Sequence, residues 1–126
     1  MKATDLMIDD WVEYGEYITT VRNLSDVIVL SGCIGRLEEV RPVPLTPEIL
    51  EKNGFYKKKN FMQLGNFDNP PLIIWHLVDD NILGHPKAQL EIHYGAKHTH
   101  MSFMCNYVHE LQHALKLCQI IKEIVL

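Results

Sequence analysis

The sequence predicts an α+β fold: a small N-terminal SH3-like β-barrel lobe, then a helix, an antiparallel sheet and a C-terminal helix. Three observations predict it. Residues 1–42 are short apolar or β-branched runs broken by turn residues, as in a meandering small barrel. The middle of the chain carries a continuous apolar run over 72–78 and a strictly alternating one over 87–94. Residues 107–118 repeat their apolar positions at helical spacing. At 126 residues the chain can bury one ordinary core, so the lobes 1–42 and 43–126 are expected to fold as one cooperative unit.

Leu6-Met7-Ile8 is an apolar entry and Asp9-Asp10 a tight polar turn, which leads into a first strand at 11–14. Gly15-Glu16 turns the chain into a second strand over 17–22. Runs over 27–30, a glycine-flanked 31–35 and a last run ending at Val40 bring the lobe to three or four strands. Arg41-Pro42-Val43-Pro44 is expected to connect the lobes, because two prolines remove ladder donors.

Thr46 supplies a capping hydroxyl, Pro47 fits the first helical position, and Glu48 sits in the first turn, so a short helix is predicted over 47–53. Gly54 is its left-handed stop, and Phe55 should fold back on Ile49 or Leu50. A hairpin follows, with strands at 55–57 and 61–64 across 58–60, and then a turn-rich loop over 65–71. The run Leu72-Ile73-Ile74-Trp75-His76-Leu77-Val78 should be a central strand buried on both faces, with His76 a core or edge histidine and Asp79-Asp80-Asn81 the turn that ends it. In 87–94, Leu90, Ile92 and Tyr94 share one face while Gln89, Glu91 and His93 share the other. Gly95 should turn that strand, and 121–126 is expected to add a short terminal strand.

Composition excludes several functions. A hydrophobic content of 47% with 22% charged residues is that of a folded globular chain. A net charge of −4 argues against a dedicated nucleic-acid binder, although the SH3-like lobe and the cluster Lys52, Lys57, Lys58 and Lys59 keep that class as an alternative. The cluster is expected to be a solvated hairpin tip. Cys33, Cys105 and Cys118 are odd in number and without CxxC spacing, which suits reduced thiols in a cytoplasm. The acidic N-terminus and the shortness of the apolar runs predict neither secretion nor membrane insertion.

Two constellations could carry chemistry. His109-Glu110-Leu111-Gln112-His113 spells HExxH, whose histidines lie one helical turn apart, with a glutamate beside them that serves zinc peptidases as general base. A third ligand is not evident downstream, since Lys116 and Gln119 stand where an extended motif would want glycine and histidine and Glu123 lies too close to the helix end; an upstream ligand, His98 or His100, would be an unusual arrangement. On a helical wheel Met104, Tyr107, Val108, Leu111, Ala114, Leu115 and Cys118 form one stripe, while His109, His113 and Lys116 point nearly opposite, to water. The motif is therefore expected to be the wet face of a packing helix. The second constellation is His93, His98 and His100, a three-histidine cluster for which no carboxylate ligand is evident, so an exposed polar edge is expected.

The opening at 6–12, the segment Pro42-Val43-Pro44-Leu45-Thr46-Pro47-Glu48-Ile49-Leu50 with Asn53-Gly54-Phe55, and Tyr107-Val108-His109-Glu110-Leu111-Gln112 together resemble a family of short uncharacterised proteins carried by Bacteroides-type gut bacteria, often in prophages and other mobile elements. In that family the last helix often carries Gln in place of Glu110 and Asn in place of His113. The resemblance implies no enzyme activity, cofactor or catalytic residue. The expectation is a non-catalytic protein-binding module with a protein partner, and no catalytic, cofactor-binding or metal residue. An inhibitor of a host defence system, a zinc metallopeptidase acting through residues 109–113, and a nucleic-acid-binding accessory protein are the alternatives.

Overall fold

Alternation in the N-terminal residues builds one sheet, and the computed structural model, which describes residues 5–24, 28–66, 68–80, 85–94 and 99–126, places five strands in it. Strands β1 (Trp11–Tyr14) and β2 (Tyr17–Leu24) pair across Gly15, whose φ of 61° is the left-handed geometry that a tight turn needs. β3 (Ile28–Leu30), β4 (Cys33–Gly35) and β5 (Val40–Pro42) complete the antiparallel order β4-β3-β2-β1-β5. A register shift between Val21 and Asn23 makes a bulge at Arg22. Such a bulge bends its strand, and the sheet curls into a half-barrel around Leu6, Val12, Val21, Leu30 and Val40.

The proline-rich connector is shorter than the sequence suggested. Pro42 is still in the ladder, opposite Val12, and Pro44 makes an isolated bridge to Tyr107. Because β5 pairs only with β1, it is an edge strand, where a missing N–H costs nothing.

Helix α1 (Pro47–Lys52) starts and stops where its sequence directs: Thr46 Oγ1 accepts from the Ile49 N–H at 3.3 Å, Gly54 has φ 91°, and the Phe55 N–H closes on the Leu50 carbonyl at 3.0 Å. A second antiparallel meander follows: β6 (Tyr56–Lys57), β7 (Met62–Asn66), β8 (Asn69–Asp80), β9 (His85–Tyr94) and β10 (Thr99–Met104). Three sequence expectations change here. The loop over 65–71 contracts to a bulged hairpin, with Asn66 opposite Asn69 and Gly65 at φ 77°. β8 is central, yet only Leu72 and Ile73 bury consecutive faces; Trp75 points into the core, Ile74 and His76 are half-buried and Leu77 is exposed. Asp79 and Asp80 extend β8, opposite Pro86 and His85; Asn81 and Gly95 lie outside the described residues.

Helix α2 (Val108–Leu117) lays Val108, Leu111, Ala114 and Leu115 on this sheet, against a core that includes Ile73 and Leu90. The chain after it does not form a strand. Instead the Asn53 carboxamide accepts from the Val125 N–H and donates to the Val125 carbonyl, both at 2.8 Å, presenting the donor and acceptor that a neighbouring strand would. Among the described residues no helix is long and apolar enough to cross a membrane.

Candidate functional site at the joint on the C-terminal helix

The HExxH face of α2 is covered, and this corrects the expectation that it meets water. Four residues of the chain's entry, Ile8 to Trp11, lie across it. The Trp11 N–H donates to Gln112 Oε1 at 3.0 Å, Gln112 Nε2 donates to the Asp9 carbonyl at 2.9 Å, and Lys116 Nζ donates to the Ile8 carbonyl at 3.2 Å. His113 Nε2 meets Asp10 Oδ2 at 2.6 Å. His109 is only 7% exposed. The helical wheel failed because it locates the apolar stripe but assumes one packing partner; α2 is packed from two sides.

Local geometry explains how a carboxylate comes to be buried here. Asp9 takes φ 76°, a left-handed turn that aspartate tolerates better than most residues. The turn lets the Met7 N–H donate to Asp10 Oδ2 at 2.7 Å, and the Asp10 side chain is fully buried. That N–H and His113 Nε2 both meet its Oδ2, whereas its Oδ1 has no hydrogen-bond partner. The buried Nδ1 of His109 also lacks one. Burial holds His109 below the usual imidazole range; Asp10, Glu110 and Asp5 pull the other way, and His113 adds to the lowering. Its ring stacks on Tyr107 at 5.9 Å and meets His113 edge-on at 5.4 Å.

Glu110 does other work than the motif suggests. Its Oε1 accepts from the N–H groups of Asn106 and Tyr107, at 3.0 and 3.1 Å, and so caps the N-terminus of α2, where a negative charge also meets the helix dipole favourably. Among the described residues no group of three His, Cys, Asp or Glu side chains is arranged to hold a metal ion.

His76, His93 and His100 gather on the outer face of the second sheet. Glu91 lies between His93 Nε2 at 3.3 Å and His76 Nε2 at 3.6 Å, and the His93 and His100 rings stack at 5.1 Å. Sequence reasoning treated His76 as solitary and saw no carboxylate near His93. Cross-strand register brings His76 diagonally beside Glu91, which sits opposite Ile74, whereas Glu91 and His93 are next-but-one neighbours on the same face of β9. His98 lies outside the described residues. Lys57, Lys58 and Lys59 are exposed, with the Lys58 ammonium 5.2 Å from the Tyr56 ring centroid.

Beside the joint opens a cleft of about 1180 Å³. Its walls are β2, through Ile18, Thr20 and Arg22, and the segment after α2, through Ile120, Ile121 and Glu123; Trp11 and Gln112 reach it from the joint. Nothing in the sequence marked this cleft, because it exists only where residues 100 apart in the chain come together. Comparison of the chain with protein-family models, with curated proteins and with solved structures returns no match.

Proposed function

We propose that the chain is a non-catalytic protein-binding module and that the cleft between the half-barrel and the C-terminal segment receives the partner. One observation carries the proposal: Ile18, 53% exposed, and Ile121, fully exposed, stand in the same cleft, one contributed by each lobe. Large aliphatic side chains left in water along a cleft are what a partner's apolar side chain would cover. The roles of the HExxH residues support the non-catalytic half, since Glu110 is engaged as a cap and His113 by Asp10. The test is capture of a partner from bacterial lysate by the wild-type chain, by Ile18→Asp/Ile121→Asp and by Lys58→Ala. The proposal requires a partner retained by wild type and Lys58→Ala and lost by the double variant, with unchanged circular dichroism. Retention by all three chains would refute the cleft, and retention by none would refute the module.

A further inference from the structure

We infer that the joint between the half-barrel and α2 is a proton-operated latch: a proton taken up by the buried His109 parts the 8–11 turn from the helix while each lobe keeps its own core. The geometry provides what a latch needs. Each side has a separate apolar cluster, one around Val12 and Val21, the other around Ile73, Leu90 and Leu111. Between them run polar contacts from Ile8, Asp9, Asp10 and Trp11 to Lys116, Gln112 and His113, together with Trp11 itself, which packs on the second cluster and whose indole N–H donates to the Ile124 carbonyl at 2.7 Å. Polar joints of this kind open more readily than apolar cores.

At the centre of those contacts is His109, buried and with no hydrogen-bond partner for its Nδ1. The groups facing His109 are Asp5 and Asp10 from the N-terminal turn, and Glu110 and His113 from α2. Asp10 Oδ2 and Glu110 Oε1 each already accept two hydrogen bonds. An imidazolium at position 109 would lie beside the His113 ring, buried, with its Nδ1 unpaired. Desolvation of that charge outweighs the attraction of the nearby carboxylates, consistent with the lowered affinity of His109 for protons. Opening the joint wets the imidazole and removes the penalty, so proton uptake and opening are linked. Trp11, Gln112 and Lys116 line the cleft as well as the joint, so opening also takes the cleft apart. The consequence for a bound partner rests on the function proposed above; the latch itself does not.

The two tryptophans provide a readout of the wild-type chain. The Trp11 indole N–H bonds across the joint, whereas the Trp75 indole N–H bonds to the Cys105 carbonyl at 2.9 Å inside the second lobe. Hydrogen exchange of the two indole protons, followed by NMR from pH 7.5 to 5 and corrected for intrinsic rates, should show Trp11 losing protection by up to about tenfold per pH unit below 6.5 while Trp75 keeps its own. His109→Gln should flatten the Trp11 profile. Loss of both indoles together would mean global unfolding and would overturn the latch. So would a Trp11 profile that is flat in wild type, or one that is unchanged in His109→Gln. If His109→Gln does not fold, the divergence of the two wild-type profiles still decides.

Discussion

Gln112 and Trp11, 101 residues apart in the chain, are joined by a hydrogen bond from the Trp11 backbone N–H to the Gln112 side-chain oxygen, and the same carboxamide donates to the carbonyl of Asp9. A helix side chain thereby satisfies the free backbone edge of the chain just where β1 begins. Gln112→Ala should lower stability by about 1–1.5 kcal/mol, roughly 1 kcal/mol for the partly buried bond from Trp11 and less for the exposed bond to Asp9. Urea denaturation measures it, and a change below about 0.5 kcal/mol would mean that water replaces the amide at no cost.

His113 is the side-chain partner of a fully buried aspartate. His113→Ala leaves Asp10 with the Met7 N–H alone and should cost about 2 kcal/mol, the usual scale for stranding a buried charged acceptor, reduced from larger values because His113 itself is partly exposed. In the double variant Asp10→Ala/His113→Ala the second substitution should add little. Additive losses in the double-mutant cycle would show that the two side chains stabilise the joint independently.

Glu110 separates capping from catalysis. Glu110→Ala should destabilise by about 1 kcal/mol, as loss of a helix cap does, whereas Glu110→Gln keeps an oxygen acceptor and should lose only a few tenths. The wild-type chain, purified without an affinity tag, should carry well under one equivalent of zinc and show no hydrolysis of unfolded peptide. Stoichiometric zinc lost on His113→Ala, or peptidase activity abolished by Glu110→Gln, would replace the cap with a catalytic glutamate.

Asn53 fastens the end of the chain. It is 5% exposed and its amide makes three bonds, two to Val125 and one to the Ile49 carbonyl. Asn53→Ala should cost about 2–3 kcal/mol and raise amide exchange specifically over residues 120–126. Uniform loss of protection along the whole chain would show that Asn53 supports the fold generally and not that segment.

The pH dependence of stability follows from His109. Its folded-state proton affinity lies below the ordinary value of 6.5, chiefly because it is buried, so folding favours the neutral ring. The contribution is fully present above pH 6.5 and is lost as pH falls below it towards the lower folded value. Urea midpoints should therefore decline from pH 7.5 to 5 in the wild-type chain, and the decline should be shallower in His109→Gln. Equal slopes in the two proteins would assign the pH dependence to other groups.

Periodicity and punctuation made much of the fold legible in the sequence. The hydroxyl of Thr46, the ring of Pro47 and the freedom of Gly54 fix α1 within its own residues, because caps and stops act over a single turn. The alternation of Leu90 and Ile92 with Glu91 and His93 fixed which face of β9 packs on α2. Where local rules mislead, they do so for nameable reasons. Pro42 stayed in a strand because an edge strand needs only its inward-facing donors, and Val125 takes its backbone bonds from the Asn53 side chain in place of a neighbouring strand.

The candidate site is the other case. The sequence alone put His109, Glu110 and His113 on one helix and named the chemistry those letters can do; it also set the order of the two sheets and the two helices. Only the tertiary structure decided what the letters meet. It buried Asp10 against His113, turned Glu110 back onto the helix end and opened a cleft between Ile18 and Ile121. Periodicity reports which side of a helix is apolar, through neighbours three and four residues away. What covers the polar side depends on where a separate lobe lands, and that is set by contacts about a hundred residues apart, such as Asp10 with His113 and Trp11 with Gln112, which leave no local pattern to read.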